Sequence, residues 1–262
     1  MPPHGTDPLV QDWTGFLTAA LLILVRVSSM FVFCPPFATK AIPVRIKVGL
    51  SLALTMVITP IAAARRTPPL SLSAILGELA VGLLLGFCVT LLQEAMSFAG
   101  YLLNLEFSFS LVNVIDPTTS IQSPLMEQFS QLILATVLFT GGYYRIVIAA
   151  FYRTLVVVPA GEARFDAMVA PTIVHMFGGI LIAGLQLAMP VIAATFLVQI
   201  VIALIGRISP SLPVMVVGIP IKTLTGYVVL IGSLGLWPSF IDSHFSSLLD
   251  AAMQLMQHHL KA

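Results

Sequence analysis

The sequence predicts an all-α, polytopic membrane protein built from helical hairpins, and three observations predict it. Of its 262 residues 58% are apolar and 9% charged, against roughly 25% charged in soluble domains, and mean hydropathy is +1.03. The apolar residues gather in six segments, at about 14–34, 44–64, 74–93, 128–151, 172–206 and 212–240, without the strict alternation of barrel strands. Between the last two lies a polar, proline-rich knot running from Gly206 through Arg207, Pro210, Pro213, Gly218, Pro220 and Lys222 to Gly226, where the chain must turn back.

The first segment, from Phe16 to Phe33, is long enough to span a bilayer. Asp7 and Asp12 stand where a signal peptide would carry cations, so this segment is expected to be retained. Pro35, Pro36 and Pro43 separate it from the second, and Pro60, Pro68 and Pro69 punctuate the end of the second. The third carries Glu78, Gly82 and Gly86, whose glycines form a small-xxx-small pair suited to close helix contact. Pro159 follows the fourth. The fifth, with Gly178, Gly179 and Gly184 near its start, would reach about 50 Å if straight. It must therefore tilt, project beyond the bilayer or kink at Pro190. The sixth completes a hairpin whose tip is flanked by Arg207 and Lys222, cations tolerated only near headgroups, in water or against a protein partner.

Charge does not orient these segments. If six simple spans alternate, one side receives Lys40, Arg45, Lys47, Arg207 and Lys222, and the other Arg65, Arg66, Arg145, Arg153, Arg164 and Lys261. Ordinary polytopic proteins concentrate such residues on the cytoplasmic side, so either one segment does not span or partner proteins fix the final position. No Lys or Arg occurs between Arg66 and Arg145, whereas Glu78, Glu94, Glu106, Asp116 and Glu127 all fall there. The net charge of +1 gives no electrostatic case for nucleic acid, since binding phosphate backbones needs a clustered basic surface, and no such partner is expected.

Arg26 lies in mid-segment, where an unpaired arginine costs about 2.5–3.5 kcal/mol on insertion scales. It needs a partner or water, and Glu78 and Glu94 are the nearest acids in type. Two kinds of reading follow: a proton or ion path, or a structural role, either as a pair between helices or as a residue outside the lipid in the assembled protein. The absence of a carboxylate ladder at helical spacing favours the second. Residues 104–117 alternate apolar and polar without helical period, and Asp116 with Pro117 makes a turn. An apolar, non-helical loop at membrane depth must be buried in protein or line a cavity, so it is either a plug with Phe107 and Phe109 in a pore or a loop packed on neighbouring helices.

No nucleophile elbow, phosphate loop or metal-ligand spacing is present, so neither catalysis nor a cofactor or metal is expected. Cys34 and Cys88 lie in apolar surroundings and are expected to pack as small hydrophobes. The tail from Ile241 sets Phe245, Leu248, Leu249, Met253 and Met256 three or four apart, a docking stripe.

Several motifs in this order resemble the FliR family of flagellar export-gate proteins and its injectisome counterparts, the SctT proteins. They are Arg26 with Phe31, Pro35 and Phe37; Ile42, Pro43, Arg45 and Ile46; Glu78, Gly82, Gly86 and Phe87; Ala99 and Gly100; Leu187, Ala188, Met189 and Pro190; and the knot from Gly206 to Gly226. The resemblance covers roughly residues 14–240 and implies a non-enzymatic core subunit of the type III export gate in the bacterial inner membrane, at a flagellar basal body or injectisome base. It implies a FliP-like region over residues 1–165 and a FliQ-like hairpin with amphipathic tail over 166–262, joined in a helical assembly. One copy would join FliP-like and FliQ-like subunits and an FlhB-like subunit, to pass unfolded proteins. The loop at about 104–117 would then be a plug, with Phe107, Phe109, Leu111 and Val112 at the gate. Arg26, Glu78, Gly82, Gly86, Pro190, Arg207, Pro210, Pro220 and Lys222 would make structural or partner contacts. A different class of function, a self-sufficient ion or solute transporter using Arg26 and the glutamates, fits the charged residues taken alone.

Overall fold

Long apolar runs build long helices here, Val, Ile and Thr included. The computed structural model describes residues 8–34, 42–63, 70–107, 125–163, 169–209 and 214–259. Among them are α1 (Pro8–Phe33), α2 (Val44–Ala63), α3 (Leu72–Glu106), α4 (Leu125–Thr140), α5 (Tyr143–Val157), α6 (Val169–Ile208), α7 (Val214–Ser233) and α8 (Trp237–His259), and the described residues contain no strand. Four stretches are long and apolar enough to cross a membrane, or five if α4 and α5 form one broken span.

Local chemistry explains several helix ends. The Ser71 hydroxyl accepts a bond from the Ala74 amide at 3.1 Å and caps α3, satisfying a donor the first turn would leave unpaired. Pro43 precedes α2, and Pro238 occupies the first turn of α8, where its missing amide costs nothing. Gly142 adopts φ +69° between α4 and α5, a left-handed conformation that lets the chain leave one helix and start the next.

Four expectations change. Residues 104–106 belong to α3, and the Phe107 amide still bonds the Leu103 carbonyl at 3.0 Å, so a helix occupies what reads as the start of a loop. Leu91, Leu92, Glu94, Ala95 and Met96 are strong helix formers that carry α3 past residue 93. The fourth segment is two helices, because Gly141 and Gly142 interrupt it. Pro60 and Pro220 lie inside α2 and α7, and α6 is assigned unbroken through Pro190 over 40 residues, about 60 Å of rise. Finally, α7 passes through a 3-10 turn at Leu234–Leu236 into α8, so the tail is a helix that starts at Trp237.

The chain divides into two compact units that interleave along the sequence. The first comprises Met1–Thr90, Tyr144–His175 and Ser246–Ala262; the second comprises Leu91–Tyr143 and Met176–Phe245. In the first, Leu22, Ala74 and Ala160 form a buried apolar cluster. One stripe of α3 brings Glu78, Gly82 and Gly86 to the same face, since residues four apart stack along a helix. A methyl group at Gly82 would overlap the Arg26 carbonyl and the Ser29 hydroxyl, and one at Gly86 would overlap the Met30 carbonyl. The stripe therefore lets α3 approach the backbone of α1 as larger side chains could not. Thr90, the next residue on it, donates its hydroxyl to the Phe33 carbonyl. In the second unit Gly100 meets the backbone of Met126 and Glu127 on α4, and Gly184 on α6 meets the Ala95 carbonyl and Phe98.

Substituting Gly82 or Gly86 with valine is expected to cost about 1–3 kcal/mol through overpacking, read as earlier thermal unfolding in mild detergent. Gly49→Ala, inside α2 with open space around it, should instead raise stability by about 0.5–1 kcal/mol.

Candidate functional site

The features that set this chain apart from a plain apolar bundle are its interior charges, and each unit holds one set. In the first unit Arg26 and Glu78 are both fully buried. Arg26 Nε lies 2.5 Å from Glu78 Oε2, and its Nη2 donates to Glu78 Oε1 at 2.9 Å, a two-pronged guanidinium–carboxylate pair. The same guanidinium donates to the Thr154 hydroxyl at 3.3 Å and to the Val158 carbonyl at 3.1 Å. The Gly161 amide donates to Glu78 Oε1 at 2.6 Å. Gly161 has φ +82°, which a glycine adopts without strain, and this turn after α5 carries its amide to the carboxylate. Thr154 in turn donates to the Phe151 carbonyl. The site is closed: α1, α3 and the α5 terminus supply every partner, and the pair connects chain segments 52 and 132 residues apart.

In the second unit the C-terminal end of α3 meets α6 and α7. Lys222 Nζ lies 3.0 Å from Glu106 Oε2, and the Thr195 hydroxyl donates to the same oxygen at 2.8 Å. The pair is part-exposed, with side-chain accessibilities of 16% and 23%, so water screens it more than the first pair. Beside it the Phe107 ring stacks on Tyr227 with centroids 4.5 Å apart. Gly226 makes room for that ring, since a methyl there would approach Phe107 Cε1 to 2.5 Å. Elsewhere in this unit the Tyr143 hydroxyl donates to Asp242 at 2.8 Å and its ring meets Phe245 edge-on.

Arg26, Glu78, Gly82 and Gly86 thus come together in the first unit. Glu94, the other acid considered for Arg26, is exposed. Two placements differ from expectation. Lys222 is more than two turns inside α7, and its ammonium is held by Glu106 in the same chain rather than standing at the hairpin tip. Phe107 directly follows α3 and is buried against Tyr227, because the ring finds its apolar surroundings within the unit. Pro190 and Pro220 are exposed within their helices, and Arg207 is exposed in the last turn of α6, where a cation complements the helix dipole. Phe109, Leu111, Val112 and Pro210 lie outside the described residues. Thr154, Gly161, Thr195 and Tyr227 escape sequence reasoning, since each acts through a contact distant along the chain. Glu106 and Lys222 carried a signal, as two opposite charges in apolar context. Among the described residues no group of three His, Cys, Asp or Glu side chains is placed to hold a metal ion.

These features define an all-α membrane protein whose buried charges are paired within its own helical units. The family described as Bacterial export proteins, family 1, matches residues 17–248, and the chain belongs to it. It is 27% identical over 246 residues to the Flagellar biosynthetic protein FliR of Bacillus subtilis (strain 168), covering 91% of this chain and 94% of the relative. Against the Escherichia coli (strain K12) protein of the same name it is 22% identical, covering 92% and 93%. The Yop proteins translocation protein T of Yersinia pestis is 27% identical over 219 residues, covering 80% and 83%.

Removing one partner of the buried pair, by Arg26→Met or Glu78→Leu, is expected to cost about 3–5 kcal/mol, because the other charge stays buried alone. The double substitution should recover at least about half of that loss in thermal unfolding. Losses that simply add would show that the two side chains are not coupled.

Proposed function

We propose that this chain is a core structural, non-enzymatic subunit of the type III protein export gate, helping to form the channel through which flagellar or injectisome proteins cross the bacterial inner membrane. The observation that carries this reading is the match to the export family over residues 17–248, with relatives of near-equal length named for flagellar biosynthesis and for Yop translocation. Its partners are FliP-like and FliQ-like subunits, with a single FliR-like copy per assembly, an FlhB-like subunit, and the unfolded proteins in transit. Residues 1–165 act as the FliP-like part and 166–262 as the FliQ-like hairpin and tail.

The surface of α6 supports a life in complex. Only 17% of its most apolar stretch is buried, and the 36 residues from Ile173 to Ile208 would rise about 54 Å against a hydrocarbon core of about 30 Å. Apolar surface longer than the lipid is thick calls for protein to cover the remainder. Phe109, Leu111 and Val112, with Phe107 at the base, form the plug in this reading. The competing idea of a self-sufficient transporter has less support, since Arg26 is enclosed by Glu78, Thr154 and Val158 with no exposed surface for an ion to reach.

Co-expression with adjacent FliP-like and FliQ-like subunits should yield one complex whose mass contains a single copy of this chain. A stable, transport-active homo-oligomer recovered without them would overturn the reading. Deleting residues 108–113 in the complex should let small ions leak across the membrane, and an unchanged permeability would remove the plug from the account.

A further inference from the structure

The contacts around Glu106 do more than bury a charge. Two helices, α6 and α7, converge on Glu106, the last residue of α3, and on Phe107 directly after it. Lys222 and Thr195 hold Glu106 from α7 and α6, while Tyr227 and the space left by Gly226 hold Phe107. Lys222 and Gly226, four residues apart, lie one above the other on α7, and Tyr227 flanks Gly226, so one short stretch of α7 grips both residues. A part-exposed ion pair adds little bulk stability, which argues that its use here is positional. Phe107 is also the last described residue before the segment read above as the plug.

We infer that Glu106, Lys222 and Thr195 are positioning residues for export, forming a latch that fixes the end of α3 on the α6–α7 pair and thereby the point from which the plug departs. This rests on the plug reading given above. Phe107 is the pivot of the latch, and its stacking on Tyr227 couples the pivot to the same stretch of α7 that carries the cation. The charges select the register: Lys222 reaches the carboxylate only when α7 sits at the height where Gly226 meets the Phe107 ring.

The test uses the assembled complex carrying Glu106→Lys, Lys222→Glu or both. Each single reversal sets like charges together and should raise small-ion permeability and hydrogen exchange in residues 103–107 by roughly three- to tenfold, the range expected for coupled charges in contact. The double reversal restores the pair and should return both readouts towards wild type. Single reversals that assemble and stay tight, or a double that leaks as much as the singles, would overturn the latch. If a reversal prevents assembly, Glu106→Gln and Lys222→Met preserve shape and should show the same rise in exchange; no rise would overturn it equally. The two readings fail differently. A deletion of 108–113 that leaks while the reversals do not sinks the latch alone. A deletion that does not leak sinks the plug, and hydrogen exchange then still reports whether the charges hold the end of α3.

Discussion

The pairing of Arg26 with Glu78 is the constraint on which the first unit depends. A guanidinium cannot stay charged in an apolar interior unless its field and its donors are satisfied, and the penalty for failure is several kcal/mol per ion. Satisfying it takes contributions from far along the chain. Gly82 lets α3 come close enough to α1 for Glu78, one turn earlier, to reach the guanidinium. Thr154, the Val158 carbonyl and the Gly161 amide then fill the remaining positions around the two charges. The ion pair thereby brings the end of α5 to α1 and α3 by chemistry that apolar packing alone would not specify. That specificity is the best use of a buried pair, since its net stabilisation is small once desolvation is counted.

The second unit applies the same logic nearer to water. Glu106 takes a cation from α7 and a hydroxyl from α6, and the aromatic stack beside it adds apolar contact to the charge contact. Together the two pairs explain the charge distribution of the sequence. The stretch between Arg66 and Arg145 holds only acidic charges, and two of its glutamates find their cations outside it, at Arg26 before and Lys222 after. Two of the twelve Lys and Arg residues are thereby held by acids far along the chain.

Much of this was legible in the residues. Apolar segments at helical length gave the all-α membrane class, Arg26 announced a need for a partner, and the spacing of Glu78, Gly82 and Gly86 placed a charge and two close-approach sites on one face. The choice of Glu78 over Glu94 was not legible, because both lie on α3 and only the approach to α1 separates them. The end of α3 misled for a physical reason. Asn104 and Glu106 break the apolar periodicity, which reads as a loop, yet Asn104 is buried and Glu106 is paired, so polar residues sit where apolar ones usually mark a helix face. Lys222 misled similarly, since a cation among prolines suggests a solvent-facing tip until its acid is known. Proline was the weakest guide, as Pro60, Pro190 and Pro220 all lie within helices.

The central claim is that the interior charges of this chain hold helices together and conduct nothing. Ion flux through the purified chain, reconstituted alone into liposomes under a proton or sodium gradient, tests it most directly. The account predicts a flux no greater than that of empty liposomes. A saturable flux that Arg26→Met abolishes would contradict it.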